Sequence, residues 1–443
     1  MNLNIRVSIC CFIAAMLFTQ LVYSITSNPL LSRGKQVCTS KGNATYLTDN
    51  KYGGTSFTIS NNSWVAVNVG TGPSKVFFNW NSLAYTWSDV IASAGSCKSN
   101  MGVPVDYTIQ KSANSTNGAD GLWTTVLTIL GSNVTARGHV VDFSGASWIK
   151  INISNGSGNL DEVEVFDLSS NGNDMWFFPG TSITANTYKG TPPAQNYADL
   201  ITQTYPGYNP VMIRGGIPCI SSSNLATDLS KYLSNAGNAK YWAIEMGTND
   251  AWGGGNGNVN NFKNNLQTVI TACKNAGIQP ILARMIGTNQ TVAKWQVHPD
   301  FLKAIDDLTT KNNLIVGPDF FTWFSTHPND LTSDGVHPNA EGAAGIQRMW
   351  AEKMKPLYAS TVTGLEEENE IETLNFSPNP FLREITLKAN GIIEYEVYDL
   401  YGNEFEKGKG SQSVLVGEKL ASGSYIIKAK LKGESQVLRV CKK

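Results

Sequence analysis

Charge is scarce in this chain: Lys, Arg, Asp and Glu make up 16% of its 443 residues and nearly cancel, leaving a formal net charge of −1. Without a basic surplus there is no electrostatic footprint for a phosphate backbone, so nucleic acid is not expected as a partner. Histidine is scarcer still, with 4 residues, which leaves few groups able to act as a base near neutral pH. The 7 cysteines include no zinc-like pairs, and neither a metal nor an organic cofactor is expected. Beyond the N-terminal segment no run is long and apolar enough to span a bilayer.

What is abundant points elsewhere. Gly, Asn, Ser and Thr are plentiful beside 11 Trp and 16 Tyr, the balance of secreted β-rich proteins that meet sugars. The length suits roughly two or three domains. Residues 1–24 read as a signal peptide. Arg6 supplies the positive start, Val7 to Val22 the apolar stretch, and Val22-Tyr23-Ser24 a cleavage site, so the mature chain starts near Ile25. A membrane anchor is the alternative, but the run is short and no basic stop-transfer follows. Cys10 and Cys11 leave with the signal. Export permits a Cys38–Cys97 pair, and isolated thiols at Cys38, Cys97, Cys219, Cys273 and Cys441 are the equal alternative.

Residues 38–168 hold short alternating or apolar runs between Gly/Asn/Ser turns, among them Ser63 to Val69, Val76 to Trp80, Val105 to Ile109, Thr124 to Leu130, Trp148 to Ile153 and Glu162 to Phe166. Strands at this spacing predict a sandwich. Trp64, Trp123 and Trp148 are expected in its core, whereas Trp80, Tyr85 and Trp87 sit in a loop-like stretch where rings could meet a sugar. After the polar hinge Ser169 to Asn173 the period changes, and strands at Trp176–Phe178, Val211–Ile213, Tyr241–Met246, Pro280–Ala283 and Leu314–Val316 alternate with helical patterns. That predicts a five-stranded parallel sheet covered on both faces, with the ligand beyond the carboxyl ends of the strands.

The first of these strands organises the rest. Trp176-Phe177-Phe178 is a buried run, Pro179 and Gly180 stop it, and Ser182 follows on the turn, where a hydroxyl is exposed and an amide can face an anion. Pro192 and Pro193 can then open a helix carrying Ala194, Tyr197, Ala198 and Ile201. Other strand ends bring Arg214-Gly215-Gly216 and Gly247-Thr248-Asn249-Asp250, and a later loop brings Asp334-Gly335-Val336-His337. A nucleophile, a set of donors and an acid–His pair on one rim are what acyl transfer needs. Among the histidines, His139 belongs to the β domain, His298 precedes a proline at a helix start, and His327 precedes another in a loop, which leaves His337. Asp250 is read as a brace for the Asn249 loop. Trp252, Trp295 and Trp323 could wall the site, with core packing the default. The Gly253 to Gly257 run is a flexible loop; it lacks the Lys-Ser/Thr of a phosphate loop.

Those four blocks, in that order, resemble the SGNH (GDSL-type) hydrolase family over residues 174–358. The resemblance implies a flavodoxin-like α/β/α domain in which Ser182 is the nucleophile, His337 the base and Asp334 its orienter. The oxyanion hole would be Ser182, Gly216 (Gly215 is the alternative) and Asn249. Thr181 stands where the family usually has Asp, Arg214 where Asn is frequent, and Cys219 where a second glycine often sits. Residues 38–168 resemble the discoidin (coagulation factor 5/8 C-terminal) jelly rolls through Trp64-Val65-Ala66-Val67, Asp120-Gly121-Leu122-Trp123 and Gly145 to Ile151. An acidic linker over 359–373 leads to Asn375 to Phe381, Tyr395 to Gly402 and Leu420 to Ile427. This 374–443 segment resembles the C-terminal sorting domain of the type IX secretion system, and a small β-sandwich is expected. Together these imply an exported or surface-attached esterase that removes acetyl groups from an acylated polysaccharide, with the type IX machinery as its export partner. A lipase or thioesterase, and a non-catalytic sugar-binding surface protein, are the alternatives.

Overall fold

The computed structural model describes residues 25–51, 55–82, 102–187, 196–359, 374–399, 402–431 and 434–443. The signal segment, Tyr85, Trp87, Cys97, Pro192, Pro193 and the acidic linker fall outside these. The chain divides into two compact units, Met1–Val362 and Thr363–Lys443.

The first unit opens with strands β1 (Val37–Thr39), β2 (Gly42–Asn43), β3 (Phe57–Thr58), β4 (Ser63–Asn68), β5 (Lys75–Ser82), β6 (Pro104–Ser112), β7 (Thr124–Ile129), β8 (Ala136–Asp142), β9 (Trp148–Gly156) and β10 (Asn159–Asp167). They form two antiparallel sheets, ordered β2-β1-β4-β9-β6-β7 and β3-β10-β5-β8. Strand parity decides what lies between them. Val65, Val67, Ile149, Ile151 and Ile153 point into the core, so Trp64, Trp148 and Lys150 take the opposite face. This corrects the expectation that Trp64 and Trp123 fill the core, while Trp148 is fully buried as expected, on the outer face of its sheet next to Gly118. Trp64 and Trp123 are half-buried and hold the Lys150 ammonium 4.9 and 3.6 Å from their ring centroids. Trp80, expected in an exposed loop, is instead fully buried in β5 and donates its indole N–H to Tyr107 at 3.3 Å. The Cys38–Cys97 pairing does not form: Cys38 is a free thiol, its Cβ packed close to Gly118 beneath the loop that covers this face, while Cys219 is disulfide-bonded.

The second part of this unit is a parallel sheet of β11 (Met175–Gly180), β12 (Val211–Gly216), β13 (Tyr241–Ile244), β14 (Gln279–Arg284) and β15 (Val316–Asp319), in the order β12-β11-β13-β14-β15. The strands are apolar on both sides because helices cover both sides. Phe177, Ile213, Trp242 and Leu282 pack with Leu225, Phe262, Leu266 and Phe301. Trp176, Phe178, Met212, Tyr241 and Ile281 pack with Tyr197, Ile201, Phe320 and Trp350. The last strand starts at Val316, because Leu314 and Ile315 are spent on the left-handed turn (Asn313, φ 50°) that follows the preceding helix.

The sandwich is built into the flank of this sheet. β5 is buried from Val76 to Ser82, one side facing the sandwich core and the other meeting the edge strand β12. Asn79 Nδ2 donates to the Met212 carbonyl at 3.3 Å, and the fully buried Arg214 reaches Asn81 Oδ1, the Ser82 carbonyl and Asp161.

The second unit carries β16 (Asn375–Ser377), β17 (Ile385–Asp399), β18 (Glu404–Val416), β19 (Gly423–Leu431) and β20 (Glu434–Lys442). Where two facing sheets are expected, the described strands form one antiparallel sheet. The long β17 pairs with β18 on one edge and β19 on the other, which joins every strand into one ladder. No helix of the described residues is long and apolar enough to cross a membrane.

Candidate active site

The nucleophile candidate sits where β11 ends. Helix α1 (Ser182–Asn186) starts at once, so Ser182 is its first residue and Thr181 its N-cap. The side chain of Thr181 accepts from the Ile183 amide at 3.2 Å, satisfying one of the donors a helix start leaves open. The same hydroxyl donates to Glu245 Oε2 at 3.0 Å. That double duty accounts for the departure from the usual aspartate, because an ionised carboxylate can only accept and would face a second one here. The next helix, α2 (Tyr197–Thr204), is capped by Asn196 in a capping box with Asp199.

Glu245 is the residue that sequence reasoning missed. It follows β13 in an apolar run, is fully buried, and accepts from the hydroxyls of Thr181, Thr184 (3.2 Å) and Thr248 (3.3 Å). Burial pushes its pKa up, and these donors pull it back. The signal was available: a carboxylate inside a strand covered on both faces needs several donors to be tolerated. It ties the turn that carries Ser182 to the loop that carries Asn249.

The base candidate arrives on a local loop. Thr332 N donates to the His337 carbonyl at 2.8 Å and Gly335 N to the Thr332 carbonyl at 2.9 Å, closing the segment on itself. Asp334 Oδ1 accepts from Thr332 Oγ1 (2.8 Å), Val336 N (2.8 Å) and His337 N (3.0 Å), and Oδ2 lies 2.6 Å from His337 Nδ1. Partial burial raises the Asp334 pKa, but the two amides, the ring and the hydroxyl outweigh it and hold the carboxyl well below the ordinary range. An ionised Asp334 can only accept, so the ring proton belongs on Nδ1 and Nε2 presents its lone pair. Nε2 lies 2.9 Å from Ser182 Oγ, although 155 positions separate the two residues in sequence.

The donor candidates come from the end of β12 and the loop after β13. A Cβ on Gly216 would meet the Ala185 amide at 2.3 Å, so β12 touches α1 at this point, and only glycine fits. A Cβ on Gly215 would instead meet the Phe177 ring at 2.2 Å, on the opposite face of the strand. Asn249 is oriented by donating one side-chain N–H to the Ile220 carbonyl at 2.7 Å, leaving the second for another acceptor. Cys219, between them, keeps the left-handed backbone (φ 64°) that a glycine would adopt there. Asp250 accepts from the Ser222 amide (3.0 Å) and hydroxyl (2.5 Å), bracing the loop, with burial pushing its pKa up against those bonds.

The other histidines are engaged elsewhere. His139 is buried against Tyr107 (2.7 Å), and burial brings its pKa down to about 3. His298 caps α3 (Pro299–Lys311), and His327 stacks on Trp323 at 3.9 Å. Trp323 is half-buried under that ring, while Trp252 and Trp295 pack against each other beyond Asn249. Among the described residues no cluster of His, Cys, Asp and Glu could hold a metal ion.

Residues 178–344, under half of the chain, match the GDSL-like lipase/acylhydrolase family. Solved structures similar to the chain include a lipase/acylhydrolase from Enterococcus faecalis, at 20% identity, covering 41% of this chain and 95% of that one with a TM-score of 0.34. An acetylxylan esterase from Geobacillus stearothermophilus is similar at 15% identity over 42% of this chain and 94% of that one, TM-score 0.33. A chitosan-binding module of a chitosanase/glucanase from Paenibacillus sp. IK-5 is similar at 20% identity over 31% and 98%, TM-score 0.23. No curated protein matches the chain.

Proposed function

We propose that this chain is an exported serine esterase that removes acetyl groups from an acylated polysaccharide. The observation that carries the reading is the hydrogen-bonded line from Asp334 Oδ2 through His337 to Ser182 Oγ, with spacings of 2.6 and 2.9 Å. Ser182 Oγ attacks the ester carbonyl as His337 Nε2 takes its proton. The imidazolium, stabilised by ionised Asp334, then delivers that proton to the leaving sugar oxygen. Water repeats the sequence on the acyl-enzyme, giving acetate and free Ser182. The negative oxygen of each tetrahedral intermediate is met by the amides of Ser182 and Gly216 and by the free N–H of Asn249.

The polysaccharide and the export route rest on the flanking regions. A β-sandwich resembling sugar-binding jelly rolls is built onto the hydrolase flank, a signal-like segment precedes it, and a tail resembling a secretion sorting domain follows. The test is acetate release from acetylated plant and algal polysaccharides, run beside esters of rising acyl length. We expect release by the wild-type protein and none above background by Ser182→Ala. Equal turnover by the two proteins would end the esterase reading, and a preference for long acyl chains would move it to a lipase.

A further inference from the structure

Trp252 is the one tryptophan among the described residues with most of its surface open to water, at 57% exposure. It stands three residues past Asn249, a chain reach of at most about 10 Å. The backbone folds back there, with Ala251 N donating to the Gly247 carbonyl at 2.9 Å and Gly254 N to the Ala251 carbonyl at 3.0 Å. Gly253 and Gly254 both take left-handed angles (φ 83° and 81°), a turn other residues would resist, and this turn presents the ring outward. Trp295 packs against it, the two rings tilted by 50° with centroids 5.1 Å apart. The Trp295 loop is itself pinned: Gln296 Oε1 accepts from the amides of Thr288 and Val297, both at 2.9 Å. Asn289 N donates to the Gly335 carbonyl at 2.8 Å, so this loop also touches the one that carries His337. The ring pair therefore stands on the rim between the Asn249 loop and the His337 loop.

We propose that Trp252, backed by Trp295, is the platform on which the sugar ring bearing the scissile acyl group stacks. This rests on the esterase reading above. The chemistry selects a sugar over a long acyl chain. A chain of methylenes needs an enclosed apolar slot to leave water. A pyranose has one apolar C–H face for the indole and hydroxyls that stay wet, and Trp252 offers one flat ring at an open edge. The neighbours suit hydroxyls: Asn256 and Asn258 follow in the same loop, their amide groups on Asp300 and the Asp250 carbonyl. An amphipathic indole steadied by a neighbouring ring and largely open to water suits such stacking.

The test compares three esters on the full-length protein: glucose pentaacetate, ethyl acetate and ethyl octanoate, none with an aromatic leaving group. Trp252→Ala should raise KM for glucose pentaacetate about tenfold while kcat moves less than about twofold, the pattern of lost ground-state binding. Ethyl acetate should respond several-fold less, and Trp252→Tyr should recover most of the sugar-ester KM. An equal shift on glucose pentaacetate and ethyl acetate, or a loss confined to ethyl octanoate, would overturn the platform. Turnover that depends on Ser182 with an unmoved KM in Trp252→Ala would overturn it alone, whereas turnover persisting in Ser182→Ala would overturn the esterase reading beneath it.

Discussion

The two flanks of the site are held by opposite means. On the serine side, Thr181, Glu245, Thr248 and Arg214 are all buried, and their partners come from distant parts of the chain. Glu245 reaches Thr181 across 64 positions, and Arg214, two residues before Gly216, is fastened to Asp161 of the sandwich. On the histidine side, Asp334 has half its side chain in water, and its bonds go to residues no more than three positions away. One flank is preorganised by a buried framework, the other by a self-contained loop. The lesson is that mutations on the first should cost stability and rate together, and mutations on the second rate alone.

The sharpest way to break that contrast is Asp334→Asn. By loss of the tautomer that presents a bare Nε2 to Ser182, kcat should fall roughly ten-thousandfold. Thermal unfolding should stay close to wild type; a large drop in the midpoint would show that the loop is not self-contained. Arg214→Met tests the other flank. It leaves Asp161 buried without its cation, which should cost roughly 3–5 kcal/mol in denaturant unfolding. The double variant Arg214→Met/Asp161→Asn should recover part of the loss, and kcat should follow stability only if β12 shifts Gly216.

Asn249→Ala should lower kcat roughly 100- to 1000-fold with little change in KM, the mark of a donor used at the transition state. Glu245→Gln keeps a carbonyl acceptor and turns the other oxygen into a donor facing threonine hydroxyls. We expect roughly 1–3 kcal/mol of destabilisation and a measurable fall in kcat, the combined signature of the buried flank.

The smallest effect lies at the far end of the sheet. Asp174, just before β11, is fully buried, and burial raises its pKa from 3.8 to about 7 against bonds from Tyr358 (2.7 Å) and Trp176 (2.8 Å). The native state therefore keeps a proton that the unfolded chain releases near pH 4, so this contribution to stability is whole below pH 4 and is lost as pH rises towards and through 7. Asp174→Asn should flatten that part of the pH–stability curve without altering the pH profile of kcat, since the residue sits away from the carboxyl ends of the strands.

Legibility in the sequence followed the same division. The Asp334–His337 pair could be read directly, because orienter and base fit within one short loop whose partners are its own neighbours. Ser182 could be read only beside the later blocks, because serine is common in turns that end a strand. Trp64 and Trp123 were misplaced because hydrophobicity says that a ring is buried, while strand parity puts Trp64 on the outer face; Trp80 was misplaced the other way, since only the neighbouring strands show that β5 is buried along its length. Cys38 was offered a partner by domain alone, and it is a half-buried free thiol.

By itself the sequence determined the order of strands and helices, the parallel sheet, and the short polar blocks at the strand ends, since all of these follow from local periodicity and turn chemistry. Only the tertiary structure decided that β12 lies against the sandwich, that Arg214 leaves the site for Asp161, and that Glu245 gathers three threonines beneath Ser182. Those contacts join residues tens of positions apart or more, and their energy comes from burial, which no single stretch of chain can express.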